Sequence, residues 1–178
     1  MKRRYVRIEE AASLTPAQIA AVADIYASDG ECSDPLAAAS FYRAAAERGN
    51  AYAQRRLADA YASGIGVEKN GEWALYWYMR AAEQENPYAQ YQVALRVADA
   101  DGALLWLHLS AKQGFPCAMK ELADRLLSID PKRSSRWLRR YYRTKNKCTP
   151  KQIDGRSARR PRKSCMPQVR NGEVVIRI

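Results

Sequence analysis

Between Ala53 and Tyr61 the apolar residues stand at positions 53, 57, 58 and 61, the spacing that gathers them on one side of an α-helix. Arg55, Arg56 and Asp59 fall on the other side. Gly64 follows where a helix stop needs a positive φ, and Gly64-Ile65-Gly66-Val67 turns the chain. A second helical stretch, about Glu72 to Gln84, carries Trp73, Ala74, Trp77, Ala81 and Ala82. The mixture of small and large residues has a packing meaning. Alanines let neighbouring helix axes approach closely, while Tyr61 and Trp77 fill the wider gaps. Neither helix can bury its apolar side alone, so the pattern predicts stacked helix pairs.

The phrase recurs. Ala45-Ala46-Glu47 precedes Ala81-Ala82-Glu83 by 36 residues, as Ala53 precedes Ala89. Ala23-Asp24-Ile25-Tyr26-Ala27-Ser28 precedes Ala58-Asp59-Ala60-Tyr61-Ala62-Ser63 by 35. Trp77, Trp106 and Trp137 follow one another at 29 and 31 residues, and Ala89 precedes Ala118 by 29. Periods of this length mark helical solenoids, and the unequal spacing predicts loop deletions between repeats.

Ala53, Leu57, Ala58, Tyr61, Gly64, Gly66, Val67, Ala74, Trp77, Ala81 and Ala82 together resemble the Sel1-like repeat family, relatives of the tetratricopeptide repeats. Ala58 departs from the pattern, since the family usually has glycine there. A further unit keeps Ala89, Val93, Ala94, Trp106 and Ala111 but lacks the Gly-x-Gly-Val turn. The resemblance implies an all-α fold, a right-handed superhelical array of antiparallel helix pairs with about four repeats. It implies a role in protein–protein interaction and no catalysis. In that family first helices line the concave surface. The residues opposite the core side are then candidates for partner binding: Tyr52, Arg55, Arg56 and Asp59, then Tyr88, Tyr91, Gln92 and Leu95, then Lys120 and Asp124. Tyrosine and arginine are the residue types that dominate interface energetics, although Tyr88 and Tyr91 equally suit packing between repeats.

Charge divides the chain. Residues 1–130 hold 14 Lys/Arg and 17 Asp/Glu, a net −3, whereas residues 131–178 hold 16 and 2, a net +14. Ser134 to Arg143 still has helical periodicity, with Trp137, Leu138, Tyr141 and Tyr142 on one side and arginines facing water. After Lys147 the pattern stops. Pro150, Gly155, Pro161 and Pro167 punctuate a run containing Arg156, Arg159, Arg160, Arg162 and Lys163, a composition that favours disorder. The chain thus reads as an N-terminal extension over 1–15, a repeat array over 16–147 and a basic tail over 148–178. The tail suits an acidic protein surface, nucleic-acid phosphates, or solvent alone. No helix-turn-helix, zinc finger or RNA-binding fingerprint accompanies the charge. At the two ends Tyr5 to Ile8 and Val174 to Ile178 are β-branched runs that suit short strands. They either pair with each other, dock on a partner's sheet edge, or fray.

Chemistry is thinly represented. Cys32, Cys117, Cys148 and Cys165 show no Cys-x-x-Cys spacing, and His108 is the single histidine, so no metal set is expected. Cys148 and Cys165 could pair within the tail. Gly64-Ile65-Gly66 follows a helix rather than a strand and lacks the lysine of a phosphate loop. No paired carboxylates or Ser-His-Asp set emerges, and no cofactor is expected. Met1-Lys2-Arg3-Arg4 is a signal-like start, but Glu9 and Glu10 interrupt before any apolar segment, and no run reaches the ~20 apolar residues of a membrane helix. The expected location is cytoplasmic. The expected function is a non-catalytic, bacterial-type adaptor or scaffold that holds a protein partner on its concave face. The natural candidate for that partner is the product of a neighbouring gene, including a toxin neutralised by this chain as its immunity protein. The alternative is a nucleic-acid-associated regulator acting through the basic tail.

Overall fold

The computed structural model describes residues 13–28, 33–147, 168–170 and 173–175. Eight helices occupy the described residues: α1 Pro16–Ala27, α2 Pro35–Glu47, α3 Ala51–Ser63, α4 Gly71–Glu83, α5 Pro87–Ala94, α6 Ala100–Lys112, α7 Pro116–Leu126 and α8 Pro131–Lys147. Their starts follow from local chemistry. Thr15, Asp34, Asn50, Asn86 and Asp99 are N-caps whose side-chain oxygens accept from backbone N–H groups that the first helical turn leaves unpaired. Thr15 and Gln18 complete a reciprocal capping box. Proline opens α1, α2, α5 and α7, where its missing N–H costs nothing.

The link from one helix pair to the next has a fixed form. Gly49, Glu85 and Gly114 take positive φ values of 86°, 61° and 95°. Each donates its N–H to a carbonyl three residues back (Ala46, Ala82 and Ala111), and the following residue reaches five back (to Ala45, Ala81 and Ser110). This is the Schellman arrangement, which satisfies the last carbonyls of a helix and reverses the chain within three residues. The Ala–Ala phrase is therefore both a close-packing surface and an acceptor site. Gln54 and Gln90 add to it from the next helix. Their side-chain amides donate to Ala46 and Ala82 carbonyls at 3.1 and 3.3 Å.

Repeat length varies elsewhere. α5 has 8 residues where α3 has 13, and the turn after it spans 95–99 where the earlier one spans 64–70. The period shrinks from 36 to 29 mostly because the first helix is truncated, with the turn contributing only two residues. Loop deletion alone, as the spacing first implied, is not the explanation.

The described helices divide into two compact units between Trp77 and Tyr78, within α4. In the first, Ile19, Val22 and Ala23 of α1, Phe41 and Ala45 of α2 and Leu57 of α3 are buried, and Tyr26 stacks on Phe41 at 5.5 Å. In the second, Leu107, Ala111, Ala118, Met119, Leu122 and Leu126 form the core, with Trp106, Trp137 and Tyr141 half-buried against it. Two buried serines let helices approach closely while keeping their hydroxyls paired. Ser110 donates to the Pro87 carbonyl at 2.6 Å and Ser134 to that of Ala123 at 2.7 Å.

Two side-chain expectations change. Tyr61 is half-buried rather than core, and the fourth core position of α3 belongs to Gln54, only 5% exposed. Its amide can be buried because Ala46 accepts its hydrogen bond. On α8, Trp137, Leu138 and Tyr141 are half-buried, but Tyr142 is 55% exposed, lying about 100° round the helix from Tyr141. At the C-terminus Glu173–Val175 (β2) pairs antiparallel with Gln168–Arg170 (β1), Val169 opposite Val174. Val174 and Val175, expected to lie in a strand, thus have their partner a few residues upstream. Tyr5 to Ile8 lies outside the described residues.

Candidate partner-binding surfaces

In the first unit Asn50 sets the phase of α3 by accepting from the Ala53 N–H at 2.8 Å. Ala53, Gln54, Leu57 and Ala58 then turn inward, leaving Tyr52, Arg55, Arg56 and Asp59 on the other side. These four are tied into one polar cluster. Asp24 Oδ1 accepts from the Tyr42 hydroxyl at 2.5 Å and the Tyr52 hydroxyl at 2.8 Å. Arg56 Nε donates to the Tyr42 hydroxyl at 3.1 Å, stands 3.8 Å from Asp24, and holds its guanidinium 5.2 Å from the Tyr42 ring. Arg55 donates to Asp59 at 2.9 Å while covering the Tyr52 ring at 5.2 Å. Burial, reinforced by the bond to Asp24, pushes the Tyr42 phenol far above its ordinary range, and Tyr52 moves the same way for the same reasons. Both phenols are therefore donors at neutral pH.

The hub of this cluster escaped the sequence reading. Asp24 occupies in α1 the place Asp59 occupies in α3, 35 residues on, so repeat counting could have found it. Tyr42, on a second helix, likewise precedes Tyr78 by 36 residues, the step that links Ala45-Ala46-Glu47 to Ala81-Ala82-Glu83.

The same unit has a second surface. Gly66, at φ 73°, brings its turn so close to α2 that a Cβ would stand 2.0 Å from the Pro35 carbonyl oxygen. Only glycine fits. The turn borders a cleft of about 570 Å³, lined by Leu36, Arg43, Tyr61, Val67, Lys69 and Trp73 among others. Trp73, half of it exposed, stacks on Tyr61 at 6.3 Å, and Arg43 donates to the Tyr61 hydroxyl at 2.6 Å. Tyr61 thus serves the surface it was expected to leave.

In the second unit the aromatic candidates are half-buried. Tyr88 and Tyr91 both pack on Phe115, with ring centroids 6.0 and 5.4 Å away, and Tyr88 also meets Tyr78 at 6.3 Å. Burial raises the Tyr91 pKa, and Cys117 and Glu121 add to the effect. Gln92 accepts from Arg96 through its backbone oxygen at 3.0 Å and through its side-chain oxygen, while Arg96 lies over the Tyr78 ring at 4.9 Å. Lys120 and Asp124 are exposed on α7. Cys117 is exposed beside them. His108 meets Trp137 edge-on at 5.5 Å, and burial, then Lys112 and Arg133, lowers its pKa. Arg156, Arg159, Arg160, Arg162 and Lys163 lie outside the described residues, as do Cys32, Cys148 and Cys165.

Among the described residues no group of three or more His, Cys, Asp or Glu is placed to hold a metal ion, and no helix is long and apolar enough to cross a membrane. Antiparallel helices joined by recurring Schellman links, with an asparagine cap and buried glutamine in step, define a helical-repeat protein of the solenoid kind.

No protein-family model matches the chain. A Sel1 repeat protein from Oxalobacter formigenes superposes with a TM-score of 0.68 at 25% identity, covering 74% of this chain and 58% of that one. In its fold and its phrase of recurring residues, this chain is similar to the Sel1-like repeat proteins. An immunity protein from Pseudomonas aeruginosa superposes with a TM-score of 0.55 at 25% identity, over 70% of this chain and 50% of that one. Chitin synthase regulatory factor 3 of Schizosaccharomyces pombe is 35% identical over 108 residues, 56% of this chain. The chain spans only 12% of that relative's length.

Proposed function

We propose that this chain is a non-catalytic adaptor that holds a protein partner against the Tyr52–Arg55–Arg56–Asp59 surface of α3. One observation carries the proposal. Exposed Tyr52 and half-buried Arg55 and Arg56, side chains of the kind that anchor interfaces, are held in place by Asp24, Tyr42 and Asp59 before any partner arrives. Pre-ordered side chains lose less entropy on binding, so the surface is suited to a firm complex. The particular form we favour is an immunity protein that neutralises a toxin encoded beside it, a reading supported by the likeness to the Pseudomonas aeruginosa immunity protein. The tail-driven alternative, a nucleic-acid-associated regulator, makes the opposite demand on the test.

The test uses the full-length chain and the product of the neighbouring gene. Changing Tyr52 and Arg55 together to alanine should weaken the complex at least about tenfold by calorimetry and abolish protection on co-expression. Replacing Arg156, Arg159, Arg160, Arg162 and Lys163 by glutamine should leave both intact. Binding that survives the first change but vanishes with the second, and collapses with salt, would sink the proposal.

A further inference from the structure

The charge on α8 has no counterpart in the other helices. Its 17 residues carry eight Lys/Arg and no Asp or Glu, whereas each other helix has at least one acid or no charge at all. Ser134, buried and bonded to the Ala123 carbonyl, and the half-buried Trp137 and Tyr141 fix the packed side of the helix. At about 100° per residue, Lys132, Arg136, Arg139 and Arg143 then share a narrow stripe on the opposite side, running about 16 Å along the axis. All four are exposed. Arg140, at the edge of the stripe, is spent on packing: it donates to the Lys112 carbonyl at 3.2 Å and covers Trp137 at 5.3 Å. Among the described residues neither an ion pair nor a side-chain hydrogen bond engages the other four. Like charges one turn apart destabilise a helix, so the stripe costs stability that nothing described within the molecule returns.

The character of the stripe selects its counter-charge. A protein interface needs a desolvated apolar or aromatic centre ringed by polar groups, and this face presents cations along its whole length. A nucleic-acid backbone needs no such centre. Evenly repeated phosphates exchange their condensed counterions for protein cations, and the planar fork of arginine matches phosphate oxygens. Tyr142 stands beside the stripe, three residues from Arg139, with more than half its surface free to meet an unpaired base. We propose that the exposed face of α8 is a docking surface for single-stranded nucleic acid, its arginines on phosphates and Tyr142 stacked on a base. It belongs to a different helix from the α3 surface proposed above for a protein partner.

Fluorescence anisotropy with a labelled oligothymidylate of about 20 nucleotides and the full-length protein tests this directly. Changing Arg136, Arg139 and Arg143 together to glutamine should weaken binding at least about tenfold and flatten the slope of log K against log salt by about 2. The corresponding lysine triple should keep most of the affinity, since charge is retained. Tyr142→Ala should weaken the single strand several-fold and leave a duplex of the same length unchanged. Circular dichroism melts of the variants exclude unfolding as the cause. The proposal is overturned if the wild-type protein fails to bind at low salt. It is overturned equally if the glutamine triple binds normally while tail variants do not. Binding to polyglutamate as tight as to the oligonucleotide, lost in the same triple, would assign the stripe to an acidic protein instead.

Discussion

Glu85 holds a φ of 61°, the conformation in which Gly49 and Gly114 complete the same link in the neighbouring repeats. A Cβ crowds its own backbone there, a cost of roughly 1–2 kcal/mol that glycine escapes. Glu85→Gly should therefore raise stability by about 1 kcal/mol in urea unfolding, against the usual trend for glycine in helical proteins. Gly49→Ala and Gly114→Ala should lower it by a similar amount, and purely through the backbone, since a Cβ at either site meets nothing within 4 Å. Equal melting of wild type and Glu85→Gly would show that the link is not strained. At this scale the sequence was legible wherever one residue type has one use. Gly64 is the left-handed cap of α3, as its place after the helix predicts. Gln54 was not legible, because an amide is buried only when an acceptor waits for it, and Ala46 lies on another helix.

The helices differ in how their first turns are finished. Asn50 and Asn86 cap α3 and α5, but the equivalent Phe115 makes no side-chain cap and instead receives the Tyr88 and Tyr91 rings. The two devices can be weighed. A cap is worth about 1 kcal/mol, while each aromatic pair contributes about 0.5–1.5 kcal/mol beyond the apolar area it buries. Phe115→Asn should thus destabilise the chain despite restoring the asparagine, whereas Asn50→Ala should cost about 1 kcal/mol in thermal or urea melts. A stabilised Phe115→Asn variant would reverse the ranking. Tyr88 and Tyr91 illustrate why element faces are only half readable. Period alone places them at the positions equivalent to Tyr52 and Arg55, but whether they meet solvent depends on Phe115, which precedes α7. The terminal strand shows the converse: Asn171-Gly172, a strong hairpin dipeptide between Gln168–Arg170 and Glu173–Val175, is a signal for their pairing that the expectations for the two ends passed over.

Over the whole molecule, the charge division of the sequence separates a near-neutral repeat array from α8 and the residues beyond it. The array's polar cluster also gives it a pH signature. Folding raises the Tyr42 and Tyr52 pKa values above the ordinary 10.0, so the folded chain keeps protons that the unfolded chain releases. Stability should be fully present below pH 10 and fall as the pH climbs beyond it. Tyr42→Phe should lower the melting temperature at neutral pH, having lost Asp24 and Arg56 as partners, yet flatten the alkaline fall. A wild-type slope that matches the variant's above pH 10 would remove Tyr42 from the titration. The repeat architecture was legible at this scale because periodic burial writes itself into the sequence. The clustering of Asp24, Tyr42, Tyr52 and Arg56 was not, since it draws on three helices at once.

The three-residue link between helix pairs carries one more consequence. Its length does not change where the period does, from 84–86 to 113–115, while helices and turns around it are shortened. Each link therefore works as a phase lock. One residue added between Gln84 and Asn86 would turn α5 by about 100°, swinging Gln90 and Val93 off the core. The same residue added to the turn 95–99 would leave both neighbouring helices in register. Insertions, tags and natural length variation have room inside a pair, and the seams between pairs admit none.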